Sequence, residues 1–276
     1  MHLVMNRVQS IMLRSALLCT LLFCVHASSY STDTPDYCEK NKLTVYKVVL
    51  NTYWSRDRFP NQYPEWRPFP QWSKVVGRSH NSSFSIFKLN EESSEGLQVF
   101  AETGRTDILD EQAQGEGGVY DEFIAPPILN GEGRTEAEFF VDGTHSKVSL
   151  LSRMVPSPDW FVGLSGFDLC SDGKWISKIS VELPPLDAGT DNGFTYTSPN
   201  WPTNPKQKIR TITSRYPNDP SGSFFYPKLK KLPLLAELHF YKMKQYQLSK
   251  VFNFEEKQID TFNVNNNNYD YEKKNS

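Results

Sequence analysis

The chain has 276 residues, with 30 Lys and Arg against 32 Asp and Glu, a net charge of −2 and an aromatic content of 13%. With no basic excess to neutralise phosphates, the composition argues against nucleic acid as a partner. The length suits one large domain or two small ones.

Arg7 and Arg14 lead into an apolar run, Ser15 to Val25. That run is shorter than the ~20 apolar residues a spanning helix needs. It ends on Val25-His26-Ala27, a small-x-small pattern. Together these features read as a secretory signal over residues 1–27; the bland alternative is a buried N-terminal helix. Cleavage removes Arg7 and Arg14 and leaves a balance of −4. No later segment approaches spanning length, so the mature protein is expected to be secreted, into the extracellular space or matrix. Cys19 and Cys24 leave with the signal, and Cys38 and Cys170 remain. In an oxidising compartment such a pair is expected to form a disulfide, the alternative being two unrelated free thiols.

Along the chain, Leu43-Thr-Val-Tyr-Lys-Val-Val-Leu50 alternates and is β-branched, which predicts a strand. A proline- and aromatic-rich connector follows at residues 59–70. Asn81-Ser82-Ser83 is an N-glycosylation sequon. Residues 84–89 read as a strand. Residues 92–102 have helical spacing, and 107–114 extend that helix or form a second short one. Residues 147–155 and 175–183 read as strands, 198–205 as a second proline-rich connector, and 234–243 as a strand with a helix as the alternative. From about Val251 the chain turns polar, and 251–276 is expected to be a disordered tail, since it has too little apolar surface to offset ordering. The elements predict an all-β antiparallel sandwich with short helical insertions.

Enzyme signatures are sparse. His80, His145 and His239 are far apart in sequence, without zinc-ligand spacing, and no nucleophile elbow, P-loop or dinucleotide fingerprint occurs. The distinctive segment is Asp187-Ala-Gly-Thr-Asp-Asn-Gly193, where two aspartates flank a glycine-containing turn. Alone it reads equally as a solvated turn. Pro156-Ser-Pro-Asp-Trp-Phe-Val-Gly163 places Asp159 in a proline-bounded turn between apolar strands. Asp159 is either an exposed capping residue or a carboxylate held beside Trp160 and Phe161, where a shared cation would relieve its burial. Three carboxylates with no nitrogen or sulfur ligand suit a hard ion, Ca²⁺ first and Mg²⁺ second.

These motifs resemble the spondin domain of the F-spondin and mindin family. The likeness rests on residues 156–163, Leu169-Cys170 and 187–191. Upstream it includes Trp54-Ser55, Phe59-Pro60, Tyr63-Pro64 and Gly77 to His80. Downstream it includes Ser198-Pro-Asn200, Pro205, Ile212-Thr-Ser214 and Ser223 to Pro227, so that it covers residues 38–243. The resemblance implies a β-sandwich similar to calcium-dependent membrane-binding domains. It also implies adhesion to extracellular matrix or a cell-surface receptor such as an integrin, or recognition of microbial surface glycans. It carries the metal ligands onto Asp159, Asp187 and Asp191, and the disulfide onto Cys38 and Cys170. Some relatives place a further metal-facing acid on the strand before His145, and the best register puts Phe140 there. The thrombospondin type 1 repeats of such relatives have no counterpart after Cys170, so the expectation is a solitary spondin domain. Adhesion is the leading expectation. Recognition of microbial glycans or lipopolysaccharide is the second, with Trp66, Trp72 and Trp201 as stacking surfaces unless they belong to the core. A metal-dependent hydrolase comes third, for want of a base.

Overall fold

The computed structural model describes residues 38–66, 68–111 and 115–248, so the expected signal at 1–27 and tail at 251–276 lie outside the described residues. In chain order the strands are β1 Lys42–Tyr53, β2 Gln71–Trp72, β3 Val75–His80, β4 Val119–Ala125, β5 Glu132–Asp142, β6 Lys147–Val155, β7 Trp160–Asp168, β8 Cys170–Ser171, β9 Lys174–Trp175, β10 Lys178–Leu183, β11 Leu186–Asp187, β12 Arg210–Thr211 and β13 Ala236–Gln247. Helix α1, Glu95–Thr103, lies between β3 and β4. The first sheet has the order β10-β13-β1-β5; the second runs β12-β11-β7-β6-β3-β4, with β2 beside β6. Every strand pairing is antiparallel. The architecture is the expected all-β sandwich.

The two sheets bury different patterns. In β5, Glu132, Arg134, Glu136, Glu138 and Phe140 face out while Thr135, Phe139 and Val141 are buried, the period-two signature of a sheet wetted on one face. β3 is buried along its whole length and β6 along most of it. That sheet is covered on both faces. Its inner face meets Tyr46, Leu50, Phe139, Leu238 and Phe240 of the first sheet. Its outer face packs under Leu97, Phe100 and Ala101 of α1 and under Phe84, Ile86 and Phe87.

Residues 84–89 are therefore not the expected strand. They are an irregular segment whose apolar side chains cap the outer face, with Ser85 Oγ donating to the Phe87 carbonyl at 2.8 Å. Residues 175–183 are broken into β9 and β10, which pair with β8 and β13 respectively. The helix expected over 92–102 begins later, at Glu95, because Ser94 caps it by accepting from the Leu97 amide at 3.2 Å. It ends at Gly104, with φ +80°. The second short helix is a 3₁₀ turn, Leu109–Glu111. The 234–243 segment is strand β13.

Candidate metal centre

Asp159 ends the β6–β7 turn, one residue before β7 begins. Its turn is held by side chains. Ser157 Oγ donates to the Met154 carbonyl at 2.8 Å, and the Trp160 amide donates to Ser157 Oγ at 3.2 Å. Arg153, on β6, donates to the carbonyls of Ala101 at 2.6 Å, Glu102 at 2.7 Å and Ser157 at 3.1 Å. One guanidinium thus ties the last turn of α1 to the turn that presents Asp159.

Strand register brings the second aspartate alongside. β11 pairs with β7 so that Asp187 faces Trp160, the neighbour of Asp159. The loop after Asp187 then folds onto Asp159. The amides of Thr190 and Asp191 donate to Asp159 Oδ2 at 2.7 and 3.1 Å, and Thr190 Oγ1 donates to it at 3.2 Å. Asp187 Oδ1 accepts from the Gly189 amide and Asp191 Oδ1 from the Gly193 amide, both at 2.7 Å. Asp191 Oδ2 accepts from the Trp201 amide at 3.1 Å. Two glycines make this closure sterically feasible. Gly189 has φ +74°, and a Cβ there would stand 2.3 Å from the Gln207 carbonyl oxygen. At Gly193 it would stand 2.6 Å from Pro158 Cγ.

The three carboxylates are buried, Asp159 completely, at 0% exposure. Burial, and next the charge of Asp187, push the Asp159 carboxyl up to about 8 against the pull of its amide donors. Burial raises Asp187 to about 6, while the Gly189 amide and the Arg210 charge act the other way. Asp159 Oδ1 is buried without a hydrogen-bond partner. An unpartnered buried carboxylate oxygen beside a second carboxylate is unfavourable, and either a proton or a cation relieves it. Alongside lies a cavity of about 180 Å³ whose lining includes Asp187, Asp191, Thr203, Gln207 and Tyr216 but not Asp159.

As the side chains stand, no group of three or more His, Cys, Asp or Glu among the described residues is gathered tightly enough to hold a metal ion. The donor chemistry nevertheless fits a hard cation: the lining has no histidine or cysteine, and Asp159 offers an unfilled oxygen. Ca²⁺ takes roughly six to eight oxygens at about 2.3–2.6 Å, so the three aspartates are part of a shell rather than the whole of it.

Other expected site residues lie elsewhere. Cys38 and Cys170 form a disulfide with their Cα atoms 5.9 Å apart. Cys170 follows β7 whereas Asp159 precedes it, so disulfide and aspartates sit at opposite ends of that strand. Phe140 is not beside the aspartates. It is 43% exposed on the outward face of β5, and its amide donates to Asp121 Oδ2 at 2.8 Å, toward the disulfide end. The end of β5 that carries Phe140 leads into the start of β6, which pairs with Asp168 at the far end of β7 from Asp159. Trp72 is core, at 1% exposure, so it is no stacking surface; Trp66 and Trp201 are exposed, at 74% and 59%. Asn81 follows β3, and its Oδ1 accepts from Ser83 in a tight turn. His80, His145 and His239 are absent from the cavity lining. Thr190, Arg153, Arg210 and Tyr216 were not foreseen. A charge inside the apolar 148–155 run was the available signal for Arg153, while Arg210 and Tyr216 carried none.

A family model described as Spondin_N matches residues 44–234. The chain is 42% identical over 212 residues to Spondin-2 of Rattus norvegicus, covering 75% of this chain and 64% of that protein. It is 39% identical over 237 residues to Spondin-2 of Homo sapiens, covering 84% and 72% respectively. It is 37% identical over 194 residues to Spondin-1 of Bos taurus, covering 66% of this chain and 23% of that protein. The chain therefore matches just under two thirds of the rat protein and less than a quarter of the bovine one.

Proposed function

Because the chain belongs to the Spondin_N family, we propose that it is a secreted adhesion protein of the extracellular matrix, and that Asp159, Asp187 and Asp191 hold one Ca²⁺, with Mg²⁺ as second choice. The observation that carries the site is the buried, unpartnered Oδ1 of Asp159 against the Asp187–Asp191 loop. A bound ion supplies the positive charge that this oxygen lacks. The chain's own residues do the positioning. Thr190 and the Asp191 amide hold Oδ2, which fixes where Oδ1 points, and Asp187 and Asp191 bring further oxygens from the facing loop. The ion then pins two loops into one surface for a matrix component or a cell-surface receptor such as an integrin. An N-glycan on Asn81 and the Cys38–Cys170 disulfide suit that compartment. Among the described residues no helix is long and apolar enough to cross a membrane.

Calcium should raise the melting temperature by mass action. The gain is about 2.7 kcal/mol when the ion is at about 100 times its Kd. Calorimetry with and without chelator, together with metal analysis, checks it; unchanged melting and no bound metal would sink the site while leaving the family in place. Trp201 favours a second reading, recognition of microbial glycans or lipopolysaccharide, because its exposed ring stands on the residue whose amide holds Asp191. A glycan array with and without calcium separates the two readings. The hydrolase reading gains nothing, since neither histidine nor lysine lines the cavity.

A further inference from the structure

The second sheet ends at β12, and its first residue, Arg210, is the cross-strand partner of Asp187. The guanidinium carbon stands 5.7 Å from the centroid of the Tyr216 ring. Tyr216 in turn lines the cavity shared by Asp187 and Asp191. A positive side chain is thus parked at the edge of a pocket whose proposed occupant is a dication.

We propose that Arg210 is the resident counter-charge of the aspartate site, offsetting Asp187 when no ion is bound and holding the affinity for a divalent cation below what the carboxylates alone would give. The inference rests on the cation reading above and names the residue that tunes it. The physics is Coulombic. The same charge that stabilises an ion-free Asp187 repels an arriving ion, and the repulsion scales with the ion's charge. Arg210 is solvent-exposed, so the effect is moderated by solvent and weakens with salt. Cross-strand pairing with Asp187 and stacking on Tyr216 keep the charge at the rim, where it does not block the cavity.

The experiment is calcium titration of the full chain by calorimetry, comparing wild type, Arg210→Gln and Arg210→Lys, with thermal melting in chelator and in calcium. Arg210→Gln should bind calcium roughly five- to twentyfold tighter at low ionic strength, and the gap should shrink as sodium chloride is raised. Arg210→Lys keeps the charge and should stay within about twofold of wild type. In chelator Arg210→Gln should melt below wild type, and its gain on adding calcium should exceed the wild-type gain. A merely structural role would lower both melts and tighten nothing. Calcium binding by Arg210→Gln equal to or weaker than wild type overturns the counter-charge role alone. A wild-type chain that binds no calcium overturns it together with the cation site.

Discussion

Asp159 shows why one buried carboxylate sets the behaviour of the site. Its Oδ2 is satisfied three times over by Thr190 and Asp191, whereas its Oδ1 has no partner. Both Asp159 and Asp187 hold protons more tightly folded than unfolded. Their contribution to stability is therefore fully present below the ordinary carboxylate range, near pH ~4. It is lost as the pH rises through about 6 for Asp187 and about 8 for Asp159. The ion-free protein should melt progressively lower across that window. Calcium should restore most at its alkaline end, because protons and cations compete for the same oxygens. Asp159→Asn should flatten the fall and remove the calcium response together. Calorimetry across the window, in chelator and in calcium, checks this; a wild-type calcium shift in Asp159→Asn would remove that residue from the ligand set.

The site is held by elements that meet without being neighbours in sequence. The β6–β7 turn presents Asp159, the short β11 brings Asp187, and Arg153 of β6 ties the Asp159 turn to the end of α1. Arg153→Met leaves three carbonyls without their donor. At about 1–3 kcal/mol for a buried unsatisfied group, with partial rescue by water, the expected loss is on the order of 3 kcal/mol. Calcium affinity should fall as well, since the Asp159 turn loses its anchor. Denaturant unfolding and calcium titration of the variant read the two effects separately. An affinity that stays at the wild-type value in a destabilised variant would show that the anchor serves the helix alone.

Over the whole molecule, the second sheet is covered on both faces, and the disulfide links the segment before β1 to the segment after β7. Cys38–Cys170 spans a sequence separation of 132 residues. The chain-entropy model gives such a link about 5 kcal/mol, and removal of a native disulfide commonly costs about 2–5. Replacing both cysteines by serine should lower unfolding stability by that amount. Calcium affinity should stay near wild type, because β7, nine residues long, separates the disulfide from Asp159 by about 30 Å. Urea unfolding and calcium titration of the double variant test this, and a large loss of affinity would show that the two ends of the sandwich are coupled.

Local physics made part of this legible in the sequence. A β-branched, partly alternating run marked the start of β1, glycine and aspartate marked the 187–193 loop, and two cysteines left after the apolar N-terminal run marked a pair that the structure joins. These signals are local or combinatorial and need no coordinates. Residues 84–89 misled because an apolar alternating run is equally suited to a strand or to an irregular segment capping a sheet. Trp72 and Trp201 have the same side chain, and only packing separated a core ring from an exposed one. Phe140 was misplaced because the end of β5 that faces the loops depends on strand pairing. Arg210 beside Asp187, and Arg153 reaching the end of α1, depend on the register of strands and a helix brought together only by tertiary folding. Spacing along the chain therefore pointed to the sandwich class and marked the aspartates as candidates, the likeness to spondin domains named them as ligands, and the company each carboxylate keeps was decided by long-range pairing that leaves no trace along the chain.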